Sequence, residues 1–173
     1  MWKAFFPFAR IVGLDIEDKS LVDEARIRTY QGSQTDREVI ERIFRESGPI
    51  SVVVDDGSHR PEHIRETFAL AFPLLADGGL YAIEDVQTSY WPSFGGSPDP
   101  TQTDTTMALV KGLLDGLNHA EFLGPDDEPS YTDRHVVAVH AYHNLVIIEK
   151  GTNTEQGRSP KAATDTPSSS GSA

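Results

Sequence analysis

The apolar positions of this chain fall into short runs that alternate with longer amphipathic stretches. Residues 9–16 (Ala-Arg-Ile-Val-Gly-Leu-Asp-Ile) read as a buried strand with an acid, Asp15, near its end. A second short strand is expected over 26–31, closed by Gly32. Asp36 is placed to cap a helix over about 36–46 whose apolar face is Val39, Ile40 and Ile43, and Gly48-Pro49 stops it. A strand over 50–55 follows. Pro61 suits the first turn of the next helix, with Ser58 or His59 near its cap. Ile64, Phe68, Ala71, Phe72 and Leu75 recur at helical spacing and make one buried stripe. Pro73 should kink or shorten the end of that helix, Asp77-Gly78-Gly79 terminates it, and a strand over 80–84 comes next.

Residues 86–104 are polar and aromatic and read as a long loop that folds over something, with Tyr90, Trp91 and Phe94 inside it. A helix over about 104–119 carries Met107, Val110, Leu113, Leu114 and Leu117 on one face. After an acidic turn at 124–130, two β runs at about 134–141 and 144–150 meet near Tyr142-His143 as an antiparallel hairpin. From Gly151 onward no large apolar residue occurs, and residues 151–173 are expected to be a disordered tail. Strands alternating with helices predict a parallel α/β sheet with helices on both faces, closed by the hairpin, in one domain over 1–150.

Composition narrows the function. The 173 residues carry a net charge of -12, which argues against a general nucleic-acid or anionic-membrane binder, because those need Lys and Arg to neutralise phosphate. There are no cysteines, so disulfides, thiolate metal sites and Cys nucleophiles are excluded. No apolar run approaches the roughly 18–20 residues of a membrane span. The opening Met-Trp-Lys-Ala-Phe-Phe-Pro-Phe-Ala-Arg is too short and too interrupted for a signal peptide, and a cytoplasmic location is the default expectation.

The chemistry concentrates in residues 51–85. The run Ser51-Val52-Val53-Val54 is followed by Asp55-Asp56-Gly57-Ser58-His59, and Gly79-Leu80-Tyr81-Ala82-Ile83 by Glu84-Asp85. A strand–helix–strand unit therefore carries carboxylates at both strand ends, where open α/β sheets bind ligands. Several carboxylates and an imidazole meeting there suggest a hard-metal site with a base beside it. The plainer reading is that these acids cap loops and helices. His63 is expected to face solvent, one helical turn beyond His59. His140 and His143 read as strand or turn residues, and Asp126-Asp127-Glu128 as a solvated turn.

Five segments stand in order: Gly-Leu-Asp-Ile-Glu-Asp-Lys-Ser (13–20), Gly-Ser-Gln-Thr-Asp (32–36), Asp-Asp-Gly-Ser-His (55–59), Ile-Glu-Asp-Val-Gln-Thr-Ser-Tyr-Trp (83–91) and His-Ala-Tyr-His-Asn-Leu-Val-Ile-Ile-Glu-Lys (140–150). Together they resemble the class I S-adenosylmethionine-dependent methyltransferases, and within them the metal-dependent sugar O-methyltransferases of macrolide biosynthesis, of the mycinamicin and demethylmacrocin type. The resemblance covers about residues 1–150. It implies a Rossmann-like sheet with a C-terminal antiparallel hairpin. It also implies methyl transfer from S-adenosylmethionine, with Mg²⁺, to a sugar hydroxyl of a glycosylated natural product or glycolipid. By the same resemblance Asp15, Ser33, Gln34 and Asp55 would serve the cofactor and Asp56, Glu84 and Asp85 the magnesium ion. His59 would be the general base, and Tyr90 and Trp91 would close on the substrate. A homo-oligomer is carried as a further expectation.

The chain departs from that pattern at its start. Only Met1 to Phe8 precede the strand at 9–16, and no glycine occurs before Gly13. The Gly-rich turn that cradles the cofactor is thus expected to be absent, as is the strand between those ending at Asp15 and Asp55. The chain reads as N-terminally truncated, and a start codon assigned too far downstream is one simple cause. Two rival functions follow. One is a catalytically inactive methyltransferase-fold domain that needs a partner chain to supply the missing strand. The other is a metal-dependent hydrolase on the same carboxylates, which leaves Asp15 and the 32–36 loop without a task.

Overall fold

The computed structural model describes residues 1–124 and 126–154. Helix α1 (Trp2–Phe5) opens it, and the Arg26 guanidinium clamps this turn by donating to the carbonyls of Lys3, Phe6 and Ala9 at 3.3, 3.1 and 2.9 Å. Strands β1 (Ile11–Asp15) and β2 (Ile27–Gln31) pair in parallel, with Ile11 opposite Ile27 and Asp15 opposite Gln31. Helix α2 (Arg37–Ser47) begins at Asp36, whose carboxylate accepts from the amides of Glu38 and Val39. It ends at Gly48, where φ is 72°. That value lies in the left-handed region that glycine enters without steric cost.

Strand β3 (Val52–Asp55), helix α3 (Pro61–Ala71) and strand β4 (Leu80–Glu84) form the expected strand–helix–strand unit. Pro73 shortens α3 as its ring chemistry requires, and the chain passes into a 3-10 turn over Phe72–Leu74. The segment after β4 is more regular than a loop: it holds two 3-10 turns, Val86–Tyr90 and Pro92–Phe94. Helices α4 (Thr106–Gly116), α5 (His119–Phe122) and α6 (Tyr131–His135) follow, and strands β5 (Val136–Tyr142) and β6 (Leu145–Lys150) make the hairpin. Its turn turns on Asn144, held at φ 63°.

The strands form two sheets. One holds β1 and β2; the other runs in the order β3-β4-β6-β5, with β3 and β4 parallel and the remaining pairs antiparallel. Among the described residues no strand pairs with the second edge of β1 or of β3, which is the arrangement expected of this α/β class without a strand between them.

The core lies where α3 and α4 cover the four-stranded sheet. Strands β4 and β6 alternate buried and part-exposed residues, so Tyr81, Ile83, Val146 and Ile148 point to one face. Phe68 of α3 stacks on Phe72 at 4.7 Å between centroids and meets Tyr81 edge-on at 5.1 Å. Each large side chain buried in this way contributes roughly 1.5–3 kcal/mol.

Period-two alternation also carries Lys150 to the buried face, at 4% exposure. Its ammonium is satisfied there, donating to the carbonyls of Pro73 and Leu75 at 2.8 and 2.7 Å. These are carbonyls that the shortened α3 leaves without helical partners. Beyond β6, Gly151 and Asn153 hold to the body: the Asn153 amide nitrogen donates to the carbonyls of Leu117 and Asp133 at 3.2 and 3.1 Å. The rest of the expected tail, 155–173, lies outside the described residues.

Replacing Lys150 by methionine keeps the apolar stem and removes the donor. The Leu75 carbonyl is then left buried and unpaired, so K150M should destabilise the fold by about 1–3 kcal/mol. The expected readout is a lower urea midpoint at an unchanged slope.

Candidate functional site

The sequence-predicted site residues collect at the C-terminal ends of β1, β2, β3 and β4, in two layers that differ in exposure. The inner layer centres on Asp55, 6% exposed, the last residue of β3. Its Oδ2 accepts from the Tyr81 hydroxyl at 3.2 Å and its Oδ1 from the Gln34 amide at 3.1 Å. Burial pushes the Asp55 carboxyl above the usual carboxylate range, while hydrogen bonds from Tyr81, Gly57 and Gln34 pull it back. Burial and the adjacent Asp55 charge raise the Tyr81 phenol well above its ordinary value.

Gln34 spends both ends of its side chain inside the protein. Its nitrogen also donates to Thr67 Oγ at 2.9 Å, and its oxygen accepts from the Ser58 amide at 2.8 Å. One side chain from the β2–α2 connection thus fixes the end of β3, the loop after it and helix α3. Gly57 lies against the Gln34 carbonyl oxygen so closely that a β-carbon there would clash with it. Asp15 sits at the end of β1, its carboxylate accepting from the Glu17 amide at 2.9 Å with Lys19 Nζ 3.9 Å away. Ser33 Oγ pairs with Thr35 Oγ at 2.9 Å.

The outer layer is the candidate metal centre. Asp56 and Asp85 present side chains 60% and 49% exposed, and His59 stands between them at 22%, its Nε2 3.8 Å from Asp56 Oδ1 and 3.8 Å from Asp85 Oδ2. One donor atom from each of the three lies within 4.8 Å of the others. Two hard oxygen donors with open solvent beside them fit Mg²⁺, which binds through one or two carboxylates and keeps several waters. Among the described residues His59 Nδ1 is buried without a hydrogen-bond partner, so the atom offered to the site is Nε2. Glu84 closes β4 beside Asp85 but stands outside this trio.

Local backbone explains the convergence. His59 and Asp85 adopt φ 55° and 52°, two of the four non-glycine residues in the left-handed region among those described. His63 differs from its expected solvent-facing role: its Nδ1 pairs with Ser58 Oγ at 2.9 Å and so steadies the same loop. Tyr90 and Trp91 are 40% and 46% exposed on the 3-10 segment, and Trp91 packs against Phe94 at 5.8 Å. Thr67 and Tyr81 were missed by sequence reasoning. A signal existed for Thr67, a polar residue one turn from Ile64 on the apolar stripe of α3; Tyr81 reads from sequence as plain core.

No family model matches the chain. It is 52% identical over 159 residues to the mycinamicin VI 2''-O-methyltransferase of Micromonospora griseorubida, a match covering 91% of this chain and 40% of the relative. Against the demethylmacrocin O-methyltransferase of Streptomyces fradiae it is 51% identical over 161 residues, again 91% of this chain and 40% of the relative. Among solved structures, the MycE methyltransferase of the mycinamycin biosynthetic pathway in complex with Mg and SAH superposes with a TM-score of 0.89 at 49% identity, covering 95% of this chain and 43% of that one. MycE with Mg, SAH and mycinamycin VI gives 0.87 at 49% identity, covering 95% and 42%. Nearly the whole chain therefore matches a part of the MycE methyltransferase fold, and the resemblance seen in the motifs holds. The chain spans about 40% of the length of the curated relatives it matches.

Replacing Gln34 by leucine strips partners from the Ser58 amide, Asp55 and Thr67 together. Q34L should cost about 1–3 kcal/mol, measured by urea unfolding, and speed hydrogen exchange at the Ser58 amide more than at amides of β6.

Proposed function

We propose that this chain carries the metal and cofactor face of an S-adenosylmethionine- and Mg²⁺-dependent O-methyltransferase acting on a sugar hydroxyl of a glycosylated natural product or glycolipid. The observation that carries the reading is the meeting of Asp56, His59 and Asp85 at the ends of β3 and β4. Named relatives that methylate mycinamicin VI and demethylmacrocin, and MycE in complex with Mg, SAH and mycinamycin VI, support a glycosylated macrolide as acceptor. When bound, the methyl sulfonium supplies the electrophile and the divalent ion acidifies the acceptor hydroxyl.

In this proposal Asp56, Glu84 and Asp85 hold the ion. His59 takes the hydroxyl proton at Nε2, the ring atom that faces the two carboxylates. Asp15 takes the cofactor ribose, a role that suits an exposed carboxylate at a strand end. Ser33, Gln34 and Asp55 line the same side. Gln34 and Asp55 are already hydrogen-bonded to each other, so their part is to shape the cofactor wall. Tyr90 and Trp91 present apolar rings to the acceptor from the segment after β4. No described helix is long and apolar enough to cross a membrane. A cytoplasmic location, the default expectation, and homo-oligomeric assembly complete the proposal. A second reading, a domain that binds cofactor only when another strand joins it, is favoured by the open edges of β1 and β3.

Calorimetric titration of S-adenosylhomocysteine with and without Mg²⁺ separates the two readings. Binding supports the first; a folded chain that binds nothing in Mg²⁺ favours the second. In a competent chain, H59A should leave Mg²⁺ and S-adenosylhomocysteine binding in place and lower turnover about 10²–10⁴-fold. D85N should instead weaken Mg²⁺ binding directly.

A further inference from the structure

Asp85 uses its two carboxylate oxygens differently. Oδ2 faces His59 Nε2 at 3.8 Å, toward the candidate metal centre, whereas Oδ1 accepts a hydrogen bond from the Gln87 amide nitrogen at 3.0 Å. The backbone of Asp85 is pinned separately: its carbonyl accepts from the Thr88 amide at 3.1 Å and from the Thr88 hydroxyl at 2.9 Å. What remains free after that pinning is rotation of the carboxylate, and Gln87 is the side chain that restrains it.

The other end of Gln87 shows which bond decides its orientation. Gln87 Oε1 is buried and has no hydrogen-bond partner among the described residues. Buried side-chain oxygens are ordinarily satisfied. Turning the amide over would set that oxygen against the Asp85 carboxylate, which only accepts. The amide is thus held in place by Asp85 while its own carbonyl goes unpaired.

We propose that Gln87 is a positioning residue for the metal centre: by holding Asp85 Oδ1 it presents Oδ2 to the ion, and thereby sets metal affinity. The inference rests on Asp85 being a metal ligand, as proposed above. Hydrogen bonds to ligating carboxylates fix their direction, and losing such a partner typically weakens metal binding about 10–100-fold.

The test is Mn²⁺ titration of the full chain, followed by the loss of the free-ion paramagnetic resonance signal, in the wild type and in Gln87→Met. Methionine matches glutamine in length but donates nothing, and it removes the unpaired oxygen. Q87M should bind Mn²⁺ about tenfold or more weakly while the melting temperature without metal does not fall. An unchanged affinity in folded Q87M overturns the inference and leaves the metal reading standing. So does a fall in affinity matched by a fall in the metal-free melting temperature, which would assign Gln87 to packing alone. A wild-type chain that binds no Mn²⁺ overturns both. Should Q87M fail to fold, Q87N keeps the amide but falls short of Asp85 and carries the same readout.

Discussion

The arrangement of this molecule depends on one buried carboxylate. Asp55 sits at the end of β3 with almost no solvent, and a lone carboxylate in that position would be strongly unfavourable. It is tolerable because Tyr81 and Gln34 donate to it. Those donors come from different parts of the chain, so satisfying one charge ties β3 to β4 and to the connection after β2. The two sheets share no backbone ladder among the described residues. Their site-bearing ends are joined here by side chains, and Gln34 is the chief of them.

A division of labour between neighbouring acids follows. Asp55 and Asp56 are adjacent in sequence, and along a strand successive side chains point to opposite faces. Asp55 turns inward and is consumed by the framework, while Asp56 turns outward and stays available. The end of β4 differs: Glu84, the last strand residue, stays part-exposed, and Asp85 leaves the strand through a left-handed turn. The paired acids at β3 thus take one inward, hydrogen-bonded position and one exposed position, and the geometry rather than the residue type says which is which.

Much of this was legible in the sequence. Every strand and the three longer helices stand within a few residues of where periodicity, capping acids and Gly-Pro signals put them, because those signals are local. The strand-end acids were legible for the same reason. The contacts that assemble the site were not, since Gln34 reaches residues 21, 24 and 33 positions away and nothing in a local pattern marks it. The buried Lys150 shows the opposite limit. Its place on the inner face follows from alternation in Leu-Val-Ile-Ile-Glu-Lys, but its charge argues against burial until the unpaired carbonyls at the end of α3 are known. The 3-10 turns after β4 were hidden because turn geometry there is fixed by tertiary bonds, such as Ser89 Oγ accepting from the Met107 amide at 2.9 Å.

The left-handed residues complete the argument about the site. A non-glycine residue at positive φ costs of order 1–3 kcal/mol unless its surroundings hold it there. Asp enters this region more readily than most residues, and at Asp85 the Thr88 bonds reward it. Histidine shares that readiness, but at His59 the ring nitrogen Nδ1 is also buried without a partner among the described residues. Two unfavourable features at one residue persist because the loop around it is fixed from three sides: Gln34 on the Ser58 amide, His63 on the Ser58 hydroxyl, and Pro61 starting α3 two residues on. The framework thus spends stability to aim one imidazole nitrogen at two exposed carboxylates. A loop of plain helix-capping acids would have no need of that strain, which supports the proposed metal-site reading of the strand ends.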